Sequence, residues 1–156
     1  MRYRWAALLV LALALTPQLG KAQGSTQGAS KRPAATLGQN YPNPFNPEMW
    51  IPFTVGDYPT CTDGGRQYKV SLRVYNLLAQ LAAVPVIQGG AGNVAGGQPL
   101  ENVLLPCGQY TAYWNGNYRN TNNEVASGIY MYVLEVDGLR IVKKAIQLYN
   151  ATPQTE

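Results

Sequence analysis

Between residues 49 and 148 the large apolar side chains recur at every second position, in short runs broken by glycine, proline and asparagine. Ile51, Phe53 and Val55 alternate with Trp50, Pro52 and Thr54, and Val70, Leu72 and Val74 alternate with Ser71, Arg73 and Tyr75. A period of two puts each triplet on one face of a strand, so each strand has one side to bury. Further strands are predicted at residues 81–87, 109–114, 129–136 and 139–148. Pro52 and Pro85 lack the amide proton of a central strand, which predicts an edge for the first and an edge or bulge for the second. Asp137-Gly138 reads as a tight hairpin turn. Five glycines within residues 88–97 predict a mobile loop. Residues 76–83 come closest to a helical period but are too few. The fold class is therefore all-β, an immunoglobulin-like antiparallel β-sandwich of about seven strands.

A chain of 156 residues has room for one such domain. Arg2 and Arg4 precede an uncharged apolar run at residues 5–15, followed by Thr16-Pro17 and the small residues Gly20 and Ala22. That order is a cleavable signal peptide over residues 1–22, cut after Ala22. A bilayer span needs roughly 18 to 20 apolar residues, so no transmembrane anchor is expected. The predicted location is secreted or cell surface, reached through the inner membrane. Residues 23–36 are small, polar and aperiodic, a flexible linker; the domain occupies 37–150, and 151–156 form a tail. Loss of Arg2, Arg4 and Lys21 takes the twelve basic residues to nine, against eight acidic ones. No basic run exceeds two residues, so the dense patch that neutralises phosphates is missing and nucleic acid is not an expected partner.

Cys61 and Cys107 are the two cysteines, and there is no histidine. In an exported chain an even count favours a disulfide, with two unpaired buried thiols as the alternative. Structural zinc takes four nitrogen or sulfur donors, so no metal site is expected. If the strands run up and down, the loop after Val55 and the loop after Ile87 open at one end, where a bridge is geometrically plausible. Without histidine the commonest general base is missing, with every Ser-His-Asp or Cys-His arrangement. Ala126-Ser-Gly128 lacks the flanking glycine of a nucleophile elbow. Gly89-Gly90-Ala91-Gly92 is followed by neither a helix nor a lysine at phosphate-loop spacing. Asp57 and Asp63 bracket the Cys61 loop and suit calcium oxygens, though an ordinary polar turn explains them better. The chain is expected to be non-enzymatic and to need no cofactor. Tyr130 and Tyr132 share a strand face, with Tyr110 on a nearby strand; they either close the core or form an exposed row for glycan or protein contact.

Ahead of the first long strand stand Asn40, Tyr41, Pro42, Asn43, Pro44, Phe45, Asn46 and Pro47. The prolines hold φ at about −65° and press their preceding residues into extended geometry. A stiff, extended lead-in follows, pinned to the domain surface by Tyr41 and Phe45. With Leu37-Gly-Gln before it, this motif resembles the opening of the type A C-terminal sorting domain of proteins exported by the type IX secretion system. The immunoglobulin-like domain of flagellar hook-capping proteins is similar. The likeness continues through Val70-Ser-Leu-Arg-Val-Tyr-Asn76, Leu105-Pro-Cys-Gly-Gln-Tyr110, Trp114-Asn-Gly116, Ala126-Ser-Gly-Ile-Tyr130 and residues 139–148.

The resemblance implies a secretion and surface-sorting address, read in its folded form by an outer-membrane translocon. It implies that the final strand with Lys143 and Lys144, together with Gly128 and Tyr130, forms the recognition surface. Trp114 should anchor a strand end in the core, Gly116 should take a positive φ at a turn, and Gly128 should allow close backbone approach. Lys143-Lys144 has a second reading, as a solvated edge that discourages sheet-to-sheet pairing. The chain departs from the family pattern in several places: Ala79 stands where a turn glycine is usual, Asn115 replaces an aspartate, and residues 88–97 are an insertion. Only fourteen linker residues stand between the expected signal peptide and the domain, so no cargo is expected there. The alternative function is a free-standing extracellular structural or adhesion protein that has lost the address. It would meet other surface proteins or copies of itself through the Tyr-rich strands.

Overall fold

The computed structural model describes residues 34–148, Gly92 excepted; the signal peptide, residues 23–33 of the linker and the tail lie outside the described residues. Nine strands follow in order: β1 (Ala35–Leu37), β2 (Met49–Val55), β3 (Gln67–Asn76), β4 (Leu81–Ala83), β5 (Val86–Ile87), β6 (Val103–Pro106), β7 (Gly108–Trp114), β8 (Gly128–Val136) and β9 (Leu139–Gln147). They form two antiparallel sheets, β1-β2-β7-β5 and β4-β3-β8-β9, and β6 pairs with the part of β3 that β4 leaves open. The chain is an all-β sandwich. No helix among the described residues is long and apolar enough to cross a membrane.

The two-residue period is what closes the core. Met49, Ile51, Phe53 and Val55 are at most 2% exposed, while Trp50, Pro52 and Thr54 between them look outward. Val70, Leu72 and Val74 do the same for β3, and with Tyr132, Leu134 and Trp114 they make one continuous cluster between the sheets. Fully burying a side chain of this size stabilises the fold by about 1.5–3 kcal/mol. The hairpin between β8 and β9 turns at Asp137 and Gly138, whose φ values of 46° and 86° match the two positive positions of a type I′ turn.

Several local expectations are corrected. Among the described residues there are nine strands instead of about seven, since β1, β4 and β5 are only three, three and two residues long. Residues 81–87 are two strands in different sheets, with Val84 and Pro85 carrying the chain from one to the other. β2 is no edge: it lies between β1 and β7. Pro52 is tolerated there because its carbonyl accepts from the Gly38 amide at 2.7 Å on the β1 side. Its nitrogen points the same way, beyond the end of β1, where no partner strand needs the missing proton. Ala35 and Thr36 belong to β1, opposite Val55 and Thr54, and not to the linker. The glycine-rich loop folds back on itself: Ala91 and Val94 exchange backbone hydrogen bonds of 2.9 and 3.0 Å, and Val94 is buried.

Cys61 and Cys107 are bridged, with their Cα atoms 5.5 Å apart. Gly108 lies opposite Val55, so Cys107 enters β7 beside the loop that leaves β2. In that loop Asp57 accepts from the Thr62 amide and, at 2.5 Å, from its hydroxyl. Asp57 thus organises a polar turn. No group of three or more histidine, cysteine, aspartate or glutamate side chains among the described residues could hold a metal ion.

Candidate functional site

The lead-in is a strap and not an extended tail. Bends at residues 42–44 and 46–47 redirect the prolines. Tyr41 bridges Trp50 of β2 in the first sheet, and Phe45 bridges Gln147 of β9 in the second. Phe45 is fully buried, its ring 5.5 Å from that of Trp114, so it enters the core and does not rest on the surface. Asn40 is buried too: its side-chain amide donates to the Pro42 carbonyl at 2.8 Å and its Oδ1 accepts from Gln39 at 2.7 Å. The hydroxyl of the fully buried Tyr132 accepts from the Asn40 amide and donates to the Gly38 carbonyl, both at 3.0 Å. At the far end, Gly116 has a φ of 78°, and a Cβ there would sit 2.3 Å from the Pro47 carbonyl oxygen. Only glycine fits that turn against the strap. Trp114 is 3% exposed and its indole N–H donates to the Asn117 carbonyl at 2.9 Å, the anchoring expected of it.

What the strap covers is the outer edge of β9. Gln39 donates to the Lys144 carbonyl at 3.0 Å, and the Ile146 amide donates to Asn43 Oδ1 at 3.1 Å. The Phe45 amide donates to the Ile146 carbonyl at 2.8 Å, and the Leu148 amide to the Phe45 carbonyl at 3.0 Å. These backbone groups belong to even-numbered residues, so those of Arg140 and Val142 face the same way. Among the described residues no strand lies beside them, because β9 ends its sheet. The strap therefore seals half of an edge and leaves the other half open.

The residues expected to form one recognition surface do not share a face. Lys143 pairs with the inward-facing Tyr132 and Lys144 with the outward-facing Met131, so the two ammonium groups leave opposite sides of β9. Lys143 is an inward-pointing charge on an edge strand, an arrangement that blocks edge-to-edge pairing. Tyr130 is only 7% exposed; its hydroxyl donates to the Ala126 carbonyl at 2.8 Å and its ring meets Trp114 edge-on at 5.7 Å. It is a core residue and leaves the recognition group. Gly128 is exposed, and a Cβ there would meet nothing within 4 Å, so close backbone approach is not the reason for glycine. Tyr130 and Tyr132 thus close the core and offer no aromatic row to a partner.

Lys144 shares its face with apolar side chains that were not expected to form a site. Tyr75, Met131, Val133, Arg140 and Val142, together with Leu77 of the following turn, line an open groove of about 370 Å³ on the outside of the second sheet. Leu77 is 69% and Val142 48% exposed. The run of outward apolar residues on β8 and β9 was the available signal, since a strand with one solvated face would alternate with polar residues. Arg73 and Arg140 bracket Glu135 at 4.0 Å each and close one end of the groove with charge. Burial raises the phenol pKa of Tyr110, Tyr113, Tyr130 and Tyr132; Glu48 adds to the rise at Tyr113, while the Asn40 amide pulls Tyr132 back.

No family model, curated protein or solved structure matches the chain.

Proposed function

We propose that this chain is a non-catalytic secretion and surface-sorting module with an immunoglobulin-like fold, recognised by an outer-membrane translocon after export by its signal peptide. The observation that carries this reading is the meeting of the motif at residues 37–47 with the last strand. The segment that most resembles a sorting domain is also the one that shapes the final strand's edge, by four hydrogen bonds. Recognition then falls on what the strap leaves open: the backbone edge at Arg140 and Val142, the Lys144 ammonium, and the groove beside them. An extended segment of the translocon would add to that edge as a further strand, with main-chain hydrogen bonds giving affinity and the groove giving selectivity.

The test is a reporter placed between the signal peptide and residue 23 in a host that has the type IX machinery. The reporter should reach the cell surface, and Val142→Pro, which removes one edge donor, should leave it inside. A reporter retained in the periplasm with the unaltered chain would sink the proposal.

The second reading, a free-standing extracellular structural protein, is favoured by the exposed Leu77, Leu78 and Val142, which fit a second copy as well as a translocon. It predicts concentration-dependent assembly in light scattering that Val142→Lys abolishes.

A further inference from the structure

The outward side chains of the first sheet carry a pattern of their own. On β2 they are Trp50, Pro52 and Thr54, and on β7 Gln109, Thr111 and Tyr113, paired in register as Trp50 with Tyr113, Pro52 with Thr111 and Thr54 with Gln109. The strap adds Tyr41 on the other side of Trp50. Three rings therefore stand in a row across strap, β2 and β7, with centroid separations of 6.0 and 5.6 Å. Tyr41 and Trp50 lie within 15° of parallel. Tyr41 is 51% exposed, and the other two are half-buried at the outer surface.

Beside the row lies an open cleft of about 540 Å³, bounded by Tyr41, Gln88, Gln109, Thr111 and the Gly89-Gly90 backbone. Gln88 and Gln109 are exposed. Among the described residues, no hydrogen bond engages the side chains of Gln88, Gln109 or Thr111, or the Trp50 indole N–H. Each glutamine carries two donors and an acceptor, and the threonine one of each kind. The charged group at the row is Glu48, which accepts from the Tyr113 hydroxyl at 2.8 Å.

We propose that this outer face of the first sheet binds neutral polysaccharide. A pyranose ring offers two surfaces: a flat side of polarised C–H bonds and a rim of hydroxyls. The negative faces of aromatic rings attract the first, and free amides and hydroxyls match the second. Ring separations of this order are about the breadth of one sugar, and a row of rings on an open face suits a chain of sugars better than a single one. No cation stands along the row among the described residues, which argues against an anionic polymer, and unpaired amides beside the rings argue against an apolar protein surface. The site lies on the opposite sheet from the groove proposed for sorting and stands independently of that reading.

Affinity electrophoresis of the purified full chain tests the proposal, in gels containing hydroxyethyl cellulose, xylan or galactomannan, with alginate as the acidic polymer. At least one neutral polymer should slow the protein, and alginate should not. Trp50→Ala and Tyr41→Ala should each weaken retardation by roughly tenfold, the loss of one ring contact, whereas Tyr113→Phe, which keeps its ring, should retain it. Thermal melting identifies which variants are folded; Tyr41→Ala, at an exposed position, serves if Trp50→Ala does not fold. Retardation by none of the neutral polymers, or by alginate alone, overturns the assignment. So does a folded Tyr41→Ala variant that binds like the parent. Self-association of the parent that Tyr41→Ala removes would overturn it in favour of a protein interface.

Discussion

Two residues in left-handed conformation show how unequal the demands on single positions are. Gly56 has a φ of 76°, and a Cβ there would meet Cys107 Sγ at 2.8 Å and its Cβ at 2.9 Å. Cys107 stands between β6 and β7 and is tied to Cys61, which leaves both contacts little room to relax. Gly56→Ala should lower stability by about 2 kcal/mol or more, from the left-handed cost together with the clash, as a fall in the urea midpoint at unchanged slope. Ala79 is the opposite case. It has a φ of 57° in an exposed turn where Asn76 Oδ1 accepts from the Leu78 and Gln80 amides. Here the side chain strains the backbone and gains no burial, so Ala79→Gly should stabilise by about 1 kcal/mol. A variant less stable than the parent would show that the turn is not held left-handed. The raised phenol pKa values set an alkaline limit. A folded chain holds these protons at a pH where the unfolded chain, with tyrosine near about 10, has lost them. The stabilisation is complete below that value and disappears as pH rises through the folded ones. Stability should be level from neutral pH to about 9 and fall above about 10, and 295 nm absorbance should show part of the tyrosines ionising at higher pH than in the urea-unfolded chain.

At the scale of elements, the strap decides most. A proline-rich segment has few backbone amides to offer, yet this one meets its own buried groups and those of β9 with side-chain amides: Gln39 and Asn40 donate to carbonyls, and Asn43 Oδ1 accepts from the Ile146 amide. Its apolar anchor is Phe45, and Phe45→Ala should cost about 3–5 kcal/mol. Tyr41→Ala, which removes a half-exposed ring, should cost far less. Equal losses in thermal melting would mean that the strap is held from its Tyr41 end. The hairpin at Asp137 does a second structural job: its carboxylate accepts from the Lys69 amide at 2.8 Å and from Arg66 at 3.1 Å, tying the β8–β9 turn to the start of β3.

For the whole molecule, the bridge between Cys61 and Cys107 closes a loop of 46 residues and links the loop leaving β2 to the entry of β7. On the loop-entropy estimate it stabilises by about 4 kcal/mol. Denaturant titration of the Cys61→Ser/Cys107→Ser double variant should show a loss approaching that figure with the β circular dichroism spectrum retained. A variant as stable as the parent would place the stability elsewhere, in the core and the strap. The buried polar residues Asn40, Ser71 and Gln147 each make a hydrogen bond, and Gln147 Oε1 is left without a partner among the described residues.

Chain periodicity by itself determined the long strands, their buried faces, the Asp137-Gly138 turn and the all-β class. It could do so because alternation over seven to ten residues is a local property, repeated often enough to be read. Tertiary structure alone decided the rest. A three-residue strand such as β1 carries too few positions to show a period, and Pro52 can sit inside a sheet because β1 happens to end beside it. Whether an aromatic faces inward or outward depends on register: Tyr130 and Tyr132 fell inside, and Tyr41, Trp50 and Tyr113 outside. Lys143 and Lys144, neighbours in sequence, were parted by the pleat. Side chains that share a surface are brought together by strand pairing across dozens of residues, and no window along the chain contains that information.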